Sequence, residues 1–258
     1  MPKTWIVVPA YNEENGLPPL LATIRRLMEE DRRDYHVFVV NDGSRDRTRE
    51  VALAAGRSMP LDVLEHEINR NVGAAFRTGL TEACRRAAPE DSIVTIEGDN
   101  TNDPSIVLEI VRKREEGYDV VVASRYRRGG CFQGFPLKRR ICSHGINTML
   151  RVMYPVRGIT DYSIFYRAYH AAVLQRALAH YGPDFIESAG FVSNAEMLIK
   201  LRPFDIRGAE VPLRYLYDQK AGKSKMRVGR TIAEYFQFFR RLRRTYRKHF
   251  PHGALAER

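Results

Sequence analysis

Short apolar runs alternate with longer stretches of helical periodicity through the first half of the chain. Residues 4–8 (TWIVV) form an unbroken apolar run stopped by Pro9, the pattern of a strand buried on both faces. Residues 16–30 then carry Leu17, Leu20, Leu21, Ile24, Leu27 and Met28 at helical spacing. The alternation repeats with a strand over 35–40 (YHVFVV), a polar helix over 45–57, a weaker strand over 61–64 and a helix over 71–87. A fourth strand covers 92–96. Pro104 then opens a helix whose inner face is Ile106, Val107, Ile110 and Val111, and a fifth strand covers 118–123. Strands separated by helices predict βαβ units and a mostly parallel sheet flanked by helices, a Rossmann-like α/β fold.

The second half is less regular. Gly129, Gly130 and Gly134 mark a loop, followed by helices over 137–154, 168–179 and 193–201 and strands over 164–166 and 206–211. Without repeats or a low-complexity linker, the pattern reads as one α/β domain over 1–227. A basic amphipathic helix and tail over 228–258 complete the chain. The helix places Ile232, Tyr235, Phe236, Phe239, Leu242, Tyr246 and Phe250 on one stripe, among Arg240, Arg241, Arg243, Arg244, Arg247 and Lys248. Such a helix either packs its stripe on the domain or lies in the headgroup region of an anionic membrane.

In open α/β sheets ligands bind beyond the carboxyl ends of the strands. Three polar loops fall there: Pro9-Ala10-Tyr11-Asn12-Glu13, Asn41-Asp42-Gly43-Ser44 and Glu97-Gly98-Asp99. Two carboxylates flanking a glycine at a strand end can converge on a hard divalent cation, although an isolated Glu-Gly-Asp is more often a plain acidic turn. Asp42 can accept hydrogen bonds from a base or sugar edge, or simply serve an Asp-Gly turn. Tyr11 can cover a nucleobase while Glu13 faces a ribose hydroxyl; both also suit a solvated loop entering a helix. Arg125, Arg127, Arg128, Lys138, Arg139 and Arg140 surround the glycine loop, and a second basic loop follows at Gly222-Lys223-Ser224-Lys225. Arginine favours bidentate phosphate contacts, so this set fits a diphosphate better than bare nucleic acid.

Charge agrees with an anionic partner. The 258 residues carry 42 Lys and Arg against 31 Asp and Glu, a net charge of +11. Cys84, Cys131 and Cys142 are odd in number and lack a Cys-x-x-Cys pair, which argues against a disulfide framework or zinc site and fits a reducing compartment. No run reaches the roughly 18 apolar residues of a membrane span, and the first strand begins too early to leave room for a signal peptide. A cytoplasmic protein without transmembrane helices is expected.

Five motifs in order carry a resemblance: VVPAYNEENGL (residues 7–17), VVNDGSRDRT (39–48), NRNVGAAFRTGL (69–80), SRYRRGG (124–130) and GKSKM (222–226). Over about residues 4–235 the chain resembles family 2 glycosyltransferases of the GT-A fold, in the group of dolichol- and polyprenyl-phosphate mannose synthases. The resemblance implies that Pro9, Tyr11, Glu13 and Asp42 bind the nucleoside of a nucleotide sugar, with Asp99 also on the donor. It makes Glu97 and Asp99 the ligands of Mg²⁺ or Mn²⁺, and Arg125, Arg139, Ser143 and Lys225 the holders of phosphate groups. Asp161 falls on the acceptor side as an orienter or base; its plain alternative is a cap or turn residue. Glu97 stands where the family has Asp, Thr101 where it often has Gln, and Ile164 and Gln219 where Gly and Arg are usual.

The implied reaction is an inverting transfer of a sugar, with GDP-mannose the leading donor, to a polyprenyl or dolichyl phosphate on the cytoplasmic face of a membrane. Many relatives carry transmembrane helices after this domain, so peripheral attachment or a membrane-protein partner is expected here. Two other readings stay open: a UDP-sugar donor, UDP-glucose for example, with or without a soluble glycan acceptor, and a non-catalytic binder of anionic surfaces. Nucleic acid is not an expected partner.

Overall fold

The computed structural model describes residues 2–217 and 228–250. At its centre lies β1 (Thr4–Ala10), buried along its whole length as its unbroken apolar run requires. It pairs in parallel with β2 (Tyr35–Asp42) on one side and β4 (Ser92–Thr95) on the other, and β3 (Leu61–His66) extends the sheet beyond β2. Helices α1 (Leu17–Glu30), α2 (Thr48–Ala55) and α3 (Val72–Arg86) connect these strands in turn, and α4 (Val107–Glu115) follows β4. α1 buries Leu17, Leu20, Leu21, Ile24 and Met28, and the prolines in its first turn sit where no helical N–H is lost.

The sheet changes direction after β4. β5 (Val120–Ser124) does not lie beside it; β7 (Arg167–His170) runs between them, antiparallel to both, and β8 (Gly208–Pro212) closes the edge parallel to β5. The order is β3-β2-β1-β4-β7-β5-β8, a mixed but mostly parallel seven-stranded sheet of the GT-A kind. The chain enters β7 from Ser163, Ile164 and Phe165, which face the ligand end of the sheet, so this strand must run back the other way.

Sequence periodicity places the strand at 164–166, three residues early, because Arg167 reads as a surface residue. It is instead fully buried: its two terminal nitrogens donate to the carbonyl oxygens of Asn194 (2.7 Å) and Tyr162 (2.9 Å), while Nε is left without a hydrogen-bond partner. The helix expected from 168 begins later, as α6 (Ala171–Tyr181). The glycine loop also contains a strand that its composition hides: β6 (Cys131–Gln133) pairs in parallel with β9 (Arg214–Leu216) as a small second sheet.

Between β6 and β7 runs α5 (Leu137–Met153), which buries only Asn147 and Leu150, and α7 (Ser193–Leu201) precedes β8. The C-terminal helix α8 (Val228–His249) lies on the domain with Thr231, Tyr235, Phe238, Leu242 and Thr245 buried. The expected stripe is therefore rotated: Phe236 is 68% exposed and Phe238 takes the inward place, as the spacing 231-235-238-242-245 demands. The Tyr246 hydroxyl donates to Ile199 O at 2.9 Å, and Lys248 and His249 both reach Asp184. No helix among the described residues is long and apolar enough to cross a membrane.

Candidate active site

A cleft of about 420 Å³ opens at the carboxyl ends of β1, β2 and β4. Pro9, Tyr11, Glu13, Asp42, Glu97, Asp99, Arg125 and Arg139 all line it. Ser143 and Asp161 stand behind the wall, and Lys225 lies outside the described residues, as does Gln219.

The loops after β1 and β2 are zipped by reciprocal hydrogen bonds. Asn12 N donates to Ser44 Oγ (3.0 Å), Arg45 N to Asn12 Oδ1 (2.8 Å) and Glu13 N to Thr48 Oγ1 (2.8 Å). Asn12 adopts φ of 52°, a left-handed conformation that Asn tolerates, and so reverses the chain just after Tyr11. This lacing brings Tyr11, Glu13 and Asp42 to one rim. Asp42 is almost fully buried, and its Oδ1 accepts from Arg70 N (2.9 Å) and from the His66 ring at 2.7 Å.

The acidic turn is pressed against β1. Gly98 N donates to Pro9 O (3.1 Å), and a Cβ at Gly98 would come within 2.9 Å of that same oxygen, so only glycine allows the approach. Asp99 Oδ1 accepts from Thr101 N and from Thr101 Oγ1 (2.6 Å), while Asn102 Nδ2 donates to Glu97 Oε2 (3.3 Å). Beside the two carboxylates, the side-chain oxygens of Asn100 and Asn102 are buried without a hydrogen-bond partner. Hard oxygen donors gathered on one turn suit Mg²⁺ or Mn²⁺. Among the described residues no cluster of three or more His, Cys, Asp or Glu stands ready for a metal. The donor set therefore fits a cation that takes its remaining oxygens from phosphate and water.

The opposite wall is basic. Arg125 is buried and forked onto Asp161: Nε donates to Oδ2 at 2.8 Å and Nη2 to Oδ1 at 2.7 Å, with Nη2 also reaching Ser163 Oγ at 2.6 Å. Burial pushes the Asp161 carboxyl up, but the Arg125 guanidinium and two backbone N–H groups outweigh it and hold it below the usual carboxylate range. Burial likewise opposes the Arg125 charge, and Asp161 more than restores it. Asp161 has no exposed surface, so its geometry fits the orienting half of its expectation and not proton acceptance from a substrate. Ser143 joins the same scaffold through Tyr126 Oη (2.8 Å) and Ser163 Oγ (3.3 Å) rather than facing the cleft. Arg139 does face it, and its Nη1 donates to Tyr217 Oη at 3.1 Å.

Asn69 and Asn71, from the motif before α3, also line the cleft, while several other lining residues carry no signal in their own sequence neighbourhood. Tyr215 and Tyr217 arrive from β9 and its exit. Thr231 and Glu234 come from α8, next to Gly190 and Phe191. Gly73 N donates to Ala189 O (2.8 Å), and a Cβ at Gly73 would lie 2.0 Å from Ser188 O, so the 188–191 segment is clamped against α3. Burial raises the Tyr215 phenol, and the negative charges of Glu97 and Asp99 raise it further.

A family model described as Glycosyl transferase family 2 matches residues 5–178. The polyprenol monophosphomannose synthase of Mycolicibacterium smegmatis is 26% identical over 87% of this chain and 81% of its own length. The dolichol-phosphate mannosyltransferase of Pyrococcus furiosus is 27% identical over 93% of this chain, which spans 63% of that relative. An undecaprenyl-phosphate 4-deoxy-4-formamido-L-arabinose transferase of Pseudomonas fluorescens is 32% identical over 67% of the chain, about half of that relative's length (49%). Among solved structures, glucosyl-3-phosphoglycerate synthase of Mycobacterium tuberculosis superposes with a TM-score of 0.64 at 20% identity, covering 95% of this chain and 80% of that one. It was crystallised with Mn²⁺ and UDP and also with Mg²⁺ and UDP. The family match covers every strand of the main sheet except β8, together with the acidic turn, and the chain belongs to glycosyl transferase family 2.

Proposed function

We propose that this glycosyltransferase moves a sugar from a nucleotide sugar to a prenyl phosphate, with GDP-mannose the leading donor. The observation that carries the reading is the polarity of the cleft: carboxylates on one side, and on the other a buried arginine that Asp161 grips at two points. An acceptor phosphate is already anionic at neutral pH, so it needs orientation more than it needs a base. In this reading Tyr11, Glu13 and Asp42 seat the nucleoside. Arg125 and Arg139 hold the acceptor phosphate in line with the sugar, and Asp161 keeps Arg125 aimed. Glu97 and Asp99, with the neighbouring Asn oxygens, would hold Mg²⁺ or Mn²⁺; when bound, the metal neutralises charge on the departing nucleoside diphosphate.

Membrane contact in this reading belongs to α5 rather than α8. Leu137 (70% exposed), Ile141 (62%) and Val152 (75%) lie on one face of α5 beside Lys138, Arg140 and Arg151. The first turn of that helix carries Arg139 into the cleft, so a lipid phosphate held there could keep its tail in the bilayer.

Purified protein with Mn²⁺ or Mg²⁺, a panel of labelled GDP- and UDP-sugars and a polyprenyl phosphate should move label into the organic phase. Asp99→Ala should abolish that transfer, whereas Glu97→Asp should retain it. Label transferred only to a water-soluble glycan, or to nothing, would sink the lipid-phosphate reading.

A further inference from the structure

His66 stands at the end of β3, directly opposite Asp42 of β2 in the sheet register, and is 7% exposed. Its Nδ1 lies 2.7 Å from Asp42 Oδ1 and its Nε2 lies 2.9 Å from Thr78 Oγ1 on α3. A carboxylate only accepts, so Nδ1 carries the proton toward Asp42, and the contact of Nε2 with the Thr78 hydroxyl, which can donate or accept, fixes the plane of the ring. The Arg70 backbone N–H donates to the same Oδ1 at 2.9 Å, and Asn69 Nδ2 donates to the Asp42 carbonyl at 3.2 Å. No hydrogen bond among the described residues reaches Oδ2 of this cleft-lining carboxylate.

The two oxygens of a carboxylate are chemically equivalent until something distinguishes them. Here two donors fix Oδ1, so rotation about Cβ–Cγ is suppressed and Oδ2 is the oxygen left for a ligand. We propose that His66, oriented by Thr78, is a positioning residue that presents Asp42 Oδ2 to an N–H or O–H edge of the nucleoside. The inference rests on the donor role assigned to Asp42. It adds a residue that nothing in the loop motif names, and it makes α3 the support of the nucleoside seat. His66 touches no substrate; its effect passes through Asp42.

The test compares His66→Ala, His66→Gln and His66→Asn by calorimetric binding of GDP and UDP with Mn²⁺, and by initial rates against donor and acceptor. Asn places an amide nitrogen one bond beyond Cγ, where histidine has Nδ1, whereas Gln carries it one bond farther. His66→Ala and His66→Gln should weaken nucleoside diphosphate binding and raise the donor KM about tenfold, the loss expected for one hydrogen bond to a charged group. Acceptor KM should not move, and His66→Asn should recover most of the loss. Thr78→Val should give a smaller defect of the same kind.

An Asn variant as poor as the Ala variant, or a loss confined to kcat or thermal midpoint, would overturn the assignment. Failure of the transfer reaction is separable. If no sugar moves but nucleoside diphosphate binding still follows the Ala, Gln and Asn pattern, the positioning role stands; if the wild type binds no nucleoside diphosphate, it falls.

Discussion

Asp161 and Arg125 form a two-point charged pair at the site, and both are removed from water. Breaking such a pair from one side leaves a buried charge without its partner, which costs about 3–5 kcal/mol. Asp161→Asn should therefore lower stability by that amount at neutral pH, read from denaturant melts. The pH dependence has a definite sign. The folded carboxyl is held below its unfolded value, so its contribution is present above the unfolded pKa of about 3.9 and is lost as pH falls through the lower folded value. The gap between wild type and Asp161→Asn should narrow in acid rather than widen.

The same pair shows what residues can and cannot announce. Tyr11, Asp42, Glu97 and Asp99 stand beside glycines and prolines at strand ends, where local pattern marks a ligand rim, and all four line the cleft. Asp161 looks like a cap or a base in its own neighbourhood, because its meaning depends on Arg125, 36 positions earlier in the chain. His66 lies two residues beyond the weak strand that the pattern marks at 61–64, and only the longer β3 and its pairing with β2 bring its ring to Asp42.

At the scale of elements, α8 is a supporting wall. Phe238 has no exposed surface, so Phe238→Ala should cost about 3–5 kcal/mol, the usual loss for a buried aromatic. Thr231 and Glu234 of the same helix line the cleft, so nucleotide binding should weaken along with stability. Deleting the chain after Arg240 removes Leu242, Thr245 and Tyr246 from the dock, so the expected outcome is a lowered thermal midpoint rather than a selective loss of membrane binding. Membrane binding should answer to α5. Leu137→Glu with Ile141→Glu should reduce co-sedimentation with vesicles containing anionic lipid, leaving GDP or UDP binding intact. Unchanged sedimentation would remove α5 as the contact. The amphipathic character of α8 was legible from its spacing, but the choice between solvent, bilayer and protein for its stripe was not. That choice is made by what lies opposite, here Ser188, Ile199 and Glu187.

Across the whole molecule, the alternation of strands and helices specifies the parallel half of the sheet almost residue for residue. It cannot specify β7, whose four residues RAYH carry a buried arginine where an apolar residue would be expected. The acidic turn, for its part, is fixed by backbone contacts and by Thr101, none of which needs a metal. Chelation with EDTA should therefore abolish sugar transfer while leaving the far-UV circular dichroism melt of the ligand-free protein unchanged. A large drop in the melting midpoint would mean that the cation holds the fold as well as the donor.

The antiparallel strand has a consequence for how the chain must be made. In a nascent chain synthesised only to residue 166, β4 already has β1 beside it but lacks β7, while β5 has neither of the neighbours that it keeps in the finished sheet. Until residues 167–170 emerge, the β7 side of β4 and the whole of β5 are open strand edges, the kind of surface that invites pairing with another chain. Both rims of the cleft, the carboxylates that follow β4 and the arginine that follows β5, are spaced by that four-residue strand, which pairs with each of the two. The cleft is thus a product of long-range pairing, since its two rims follow strands that meet only through a third.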